Sequence, residues 1–160
     1  MLSALDLQFA ERGWEPLKKS YVGTVMATMN QADHWLLDAA YRGYIPAGTG
    51  DQIGIFIAVT IDFEPAETWN EPVCLVTAAR FIAPKTRHQR RIQWSKEDAH
   101  QVAKSAGAAN ITPVRISDLK DTFLEDARAC AAGAIPLCEL RSVESLAERV
   151  VTPVLTSLPS

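Results

Sequence analysis

Four cations stand in the seven residues Lys85-Thr86-Arg87-His88-Gln89-Arg90-Arg91, and Trp94 follows close behind. Cations beside an indole suit a polyanion, because phosphates supply the charge-driven part of the affinity and the ring accepts a base face. The plainer reading is a solvated loop with Trp94 in the core. Upstream, Asp62, Glu64, Glu67 and Glu71 gather carboxylates around Trp69. Paired carboxylates at a strand end can hold Mg²⁺ and activate water for attack on a phosphodiester. The plainer reading there is an acidic contact surface.

The two clusters form a charge reversal. Residues 44–79 hold five acids and no Lys or Arg, whereas residues 80–96 hold six basic residues and no acid. Over the whole chain, 16 basic residues face 19 acidic ones, a balance of −3. Without the six cations of 80–96, ten face nineteen, a balance of −9, so the chain is not a uniformly basic nucleic-acid binder. A local patch of four cations reaches only a few phosphates, and its affinity for nucleic acid would be weak and steeply salt-dependent.

Other chemistry-bearing residues lack the spacing their chemistry needs. His34, His88 and His100 are scattered, with neither HExxH nor HxH spacing. Gly48, Gly50 and Gly54 precede a strand-like run, whereas a phosphate-cradling turn follows a strand and opens a helix, so they read as a turn. Cys74, Cys130 and Cys138 are odd in number and without CxxC spacing, which predicts buried free thiols rather than disulfides or zinc. Trp14, Trp35, Trp69 and Trp94 all fall near element ends or in loops, and the loop of Trp69 offers few apolar neighbours. No cofactor and no metal is expected.

The elements that must carry these residues follow from periodicity. Ser3 and Asp6 have the form of a capping box, opening a short helix with Leu5 and Phe9 on one face and Gly13 at its end. Residues 20–29 read as a first strand. Residues 33–40 read as a short helix, with an extra strand over 38–45 as the alternative. The clearest strand is 52–64, where Ile53, Ile55, Ile57, Val59, Ile61 and Phe63 alternate. Its other face runs from Phe56 through Thr60 to Asp62 and Glu64, which predicts that the strand end emerges into solvent. Residues 73–83 form the next strand, joined to it as an antiparallel hairpin because the loop between them is too short for a crossover helix. A helix runs from Ser95 to Gly107. A strand at 111–116 is demoted by Pro113 to an edge or a bulge. Leu119, Phe123, Leu124, Ala127 and Cys130 predict a further helix, residues 134–140 a short strand, and Ser142 caps a last helix kinked or ended near Pro153.

The order helix, three strands, helix, strand resembles the core of the restriction-endonuclease-like superfamily. That resemblance implies an acid on the second strand and an acidic residue, any residue, then lysine on the third. Asp62 could supply the first acid, but Val73-Cys74-Leu75-Val76-Thr77-Ala78-Ala79-Arg80 holds neither of the others.

The sequence therefore predicts one α+β domain over 1–160, in the order α-β-β-β-α-β-α-β-α, with a mainly antiparallel sheet covered by helices. The N-terminus has no basic segment before an apolar core, and no apolar run nears the ~20 residues of a membrane span, so the expected location is the cytoplasm. The expected function is a non-enzymatic binding or accessory module. It contacts a protein partner, or itself as a homodimer, through a basic surface of Lys85, Arg87, His88, Arg90, Arg91 and Trp94 and an acidic surface of Asp62, Glu64, Glu67, Trp69 and Glu71. The alternative is a nucleic-acid-binding or degenerate nuclease-like domain.

Overall fold

In a computed structural model of the chain, the alternating run becomes β3 (Gln52–Asp62), an inner strand of an antiparallel sheet. The structure describes residues 1–17, 39–50, 52–63, 69–86, 96–107, 110–120, 122 and 124–158, with backbone alone at 85, 86, 96 and 97. Among these residues the sheet has six strands in the order β1-β2-β3-β4-β6-β5, every neighbouring pair antiparallel. The others are β1 (Trp14–Pro16), β2 (Ala39–Pro46), β4 (Val73–Thr86), β5 (Thr112–Val114) and β6 (Ala127–Pro136). The fold is α+β, as predicted, and no helix among the described residues is long and apolar enough to cross a membrane.

Both faces of the sheet are covered, which explains why β3 and β4 are buried along almost their whole shared length. Phe56, Ala58, Leu75, Ala79, Ala132 and Ala134 face α2 (Lys96–Ala106), which contributes Ala99, Val102 and Ala103. Ile57, Val59, Cys74, Val76, Ala78 and Ile135 face α1 (Leu2–Ala10) and a C-terminal helical segment. That segment comprises α3 (Val143–Leu146), one π turn (Ala147–Val151) and α4 (Thr152–Ser157).

Several expectations are met. Val73 lies opposite Asp62 in the β3–β4 hairpin. β5, with Pro113, is an edge strand, and Gly107, at φ 83°, follows the end of α2. Gly48 and Gly50 have φ of 76° and 64° in the turn between β2 and β3, a backbone that glycine adopts without steric cost. Ser142 caps α3 in a reciprocal box with Ser145. Of the kink or end expected near Pro153, the end does not occur, since α4 carries the proline, and the irregularity is a π turn just before it. Proline has no N–H for the carbonyl four residues back and its ring collides with it, so the helix widens by one residue and the Thr152 N–H reaches Ala147 O.

Other expectations are corrected. Residues 39–46 form a strand, the alternative offered for that segment, and the strand expected at 20–29 lies outside the described residues. Among the described residues, the helix expected to run from Asp118 to Cys130 does not form. A short 3₁₀ turn (Ile116–Leu119) gives way to β6, because a central strand buried on both faces loses its alternation and its alanines mimic a helix stripe. The end of β3 does not emerge into solvent, since α2 covers Thr60 and Asp62, which are 2% and 0% exposed. The Ser3/Asp6 box does not form. Asp6 instead accepts Arg42 Nε and Nη2 at 3.0 and 2.5 Å and the Tyr44 hydroxyl at 3.0 Å. Cys74 and Cys130 are buried free thiols, whereas Cys138 is exposed.

Candidate functional site

Asp62 ends β3, opposite Ala39 of β2 and Val73 of β4, and its register places it on the α2 side of the sheet. A carboxylate without exposure has left water behind and needs compensating hydrogen bonds. One comes from His100, whose Nε2 lies 2.5 Å from Asp62 Oδ2. His100 reaches it because α2 packs its Ala99, Val102 and Ala103 stripe onto the sheet, and His100 borders that stripe.

The second imidazole nitrogen is also engaged. Trp69 Nε1 donates to His100 Nδ1 at 3.2 Å, and the Trp69 ring packs against the α2-side core. An indole nitrogen only donates, so Nδ1 must offer its lone pair. That assigns the neutral tautomer with its proton on Nε2, directed at Asp62. The result is a closed chain, indole to imidazole to carboxylate. It joins the end of the β3–β4 connection, the second turn of α2 and the end of β3.

A carboxylate that orients a histidine is half of a general-base device, but the other half needs a free ring nitrogen aimed at a substrate. Here Trp69 occupies that nitrogen. The arrangement holds three segments together and fixes a tautomer. Among the described residues no group of three His, Cys, Asp or Glu side chains is placed to hold a metal ion.

Of the acidic contact surface predicted from sequence, Asp62 is corrected: it is an interior residue, because α2 and the His100 hydrogen bond claim its carboxylate. Trp69 is partly buried. Glu71 is exposed, and its Oε2 accepts the Cys138 thiol at 3.5 Å. Glu64 and Glu67 lie outside the described residues, as do Arg87, His88, Arg90, Arg91 and Trp94. Lys85 falls on β4 opposite Ile53.

His100 is the residue that sequence reasoning missed. Its partners are 38 and 31 residues away, so no local spacing marks it. The available signal is its place beside Ala99 and Ala103 on the apolar side of an amphipathic helix, where a polar ring requires a partner.

Burial of the thiols is a separate electrostatic feature. It pushes Cys74 and Cys130 up to about 12 from the ordinary 9.0. Tyr44 is likewise raised, first by burial and then by the Asp6 charge beside it.

Three comparisons accompany this geometry: no protein-family model matches the chain, and no match to a curated protein or to a solved structure was found.

Proposed function

We propose that the chain is a non-enzymatic binding module that contacts a protein surface, a partner's or that of a second copy, through the two charged segments flanking β4. The observation that carries this reading is the Trp69–His100–Asp62 chain. Trp69 closes the acidic connection between β3 and β4, and His100 lies four residues into the helix that follows the basic segment. One hydrogen bond thus ties the end of one charged segment to the exit of the other. The full engagement of both His100 nitrogens further favours a positioning role over proton transfer to a substrate.

The test is association measured by light scattering from low to high salt. Complementary charged surfaces predict assembly, or capture of a protein of opposite charge pattern, that weakens as salt screens it. Charge reversal at Arg87, Arg90 and Arg91 should abolish that salt dependence. Mg²⁺-dependent cleavage of DNA or RNA by the wild type would overturn the reading. Salt-sensitive retention of nucleic acid, weakened by the same reversal, would replace it with nucleic-acid binding.

A further inference from the structure

Of the described residues that join β3 to β4, Phe63, Asn70, Glu71 and Pro72 are exposed, and Trp69 is the one partly buried against the core. The end nearest β4 is pinned, because the Leu137 N–H donates to Pro72 O at 3.0 Å. Trp69 holds the rest to α2. Its indole N–H donates to His100 Nδ1 at 3.2 Å, and that bond exists only while Nδ1 keeps its lone pair.

A proton taken up by His100 ends that condition. Nε2 already carries a proton directed at Asp62 Oδ2, 2.5 Å away, so a second proton from water goes to Nδ1. Two N–H groups then face each other where a donor had met an acceptor. Turning the ring over gives no relief, since both nitrogens of an imidazolium donate. Asp62 accepts from the charged ring as it did from the neutral one, and more strongly, so the bond given up is the one to Trp69. The His100 side chain is 15% exposed, within reach of solvent protons.

Among the described residues, the ionisable group that meets the ring is Asp62 of β3. The α2-facing positions of β4 carry none, and those of β6 carry Cys130, whose thiol burial pushes up to about 12. β5 carries none, Tyr41 of β2 packs against the same core, and Asp118 of the 3₁₀ turn is exposed. On α2 itself Asp98 stands two residues back, and the exposed Lys104 stands one turn on. In this setting the imidazole is the side chain suited to change charge between pH 5 and 8.

We infer that His100 is a proton-operated latch, which holds the β3–β4 connection to α2 through Trp69 when neutral and releases Trp69 when Nδ1 is protonated. The bond belongs to the neutral form, so its contribution is present at high pH and is lost as pH falls. The latch stands apart from the binding-module reading, and neither depends on the other.

The test follows the indole N–H resonance of Trp69 in the isotope-labelled full chain from about pH 8 to about pH 5, assigned by its absence from Trp69→Phe. In wild type it should shift with the same midpoint as the His100 Cε1–H resonance. In His100→Gln it should stay in place, because an amide offers an oxygen to the indole and an N–H to Asp62, and does not titrate. Urea midpoints give a second reading that does not need this variant. Trp69→Phe loses packing at every pH but loses the bond only where His100 is neutral, so its deficit against wild type should be larger at pH 8 than at pH 5. A Trp69 resonance that stays fixed while His100 titrates, an equal shift in His100→Gln, a His100 that takes up no proton before the chain unfolds, or a deficit at pH 5 as large as at pH 8 would each overturn the latch.

Discussion

His100 receives one donor and gives another, and the two bonds differ in what they hold. Its Nε2 proton serves a carboxylate with no exposure, whereas its Nδ1 lone pair holds the Trp69 indole. His100→Ala removes the imidazole partner of a buried charge and should lower stability by about 2–4 kcal/mol, read from urea midpoints. Trp69→Phe keeps a ring and loses one N–H, so its expected loss is about 1 kcal/mol. Asp62→Asn retains an oxygen for the Nε2 proton and should cost less than His100→Ala. The reverse order would show that the three residues do not act as the chain of bonds described.

At the scale of elements, close approach across the sheet requires two glycines. A Cβ on Gly43 would lie 2.8 Å from Phe56 Cε2, and one on Gly133 would lie 2.5 Å from the Asn110 backbone oxygen. Phe56 is 1% exposed and is held by its neighbours, so Gly43→Ala should destabilise by about 1–3 kcal/mol through overpacking. Adding Phe56→Leu should recover part of that loss, because the obstacle is a side chain. Gly133→Ala meets backbone, which no second side-chain substitution relieves, so its urea midpoint should fall further. A Gly43→Ala variant as stable as wild type would show that the ring has room to move. The same tightness marks β6, whose Ala127, Ala132 and Ala134 pack on the α2 side while Ile135 packs on the side of α1 and the C-terminal helical segment.

For the molecule as a whole, its two cores respond to pH through their thiols. Cys74 and Cys130 hold their protons to about 12 in the fold against 9.0 when exposed. Between those values the unfolded chain has lost protons that the native chain retains, so stability is complete below pH 9 and falls as pH rises toward 12. Replacing both thiols by alanine should reduce that alkaline slope in denaturation curves at successive pH values, above all between pH 9 and 10, while the part owed to the raised Tyr44 phenol remains above pH 10. In native protein at pH 8 a maleimide should label Cys138 alone, with Cys74 and Cys130 reacting only on unfolding. Equal labelling of all three would contradict the burial of two of them.

The letters by themselves determined the α+β class, the β3–β4 hairpin and the capped last helix, and they narrowed β5 to an edge or a bulge and the last helix to a kink or an end at Pro153. These follow from period, turn chemistry and proline's missing donor, all local to the chain. They misassigned β6 and the burial of Asp62, because a strand covered on both faces loses its alternation and an acid at a strand end looks solvated until a helix lies over it. Only the tertiary structure decided that Asp6 leaves its helix cap for Arg42, that Asp62 turns inward to a His100 held by Trp69, and that Arg80 Nε is buried without a hydrogen-bond partner among the described residues. Each joins residues far apart in sequence, or leaves one alone, and hydrogen bonding across such separations is set by how sheet and helices pack.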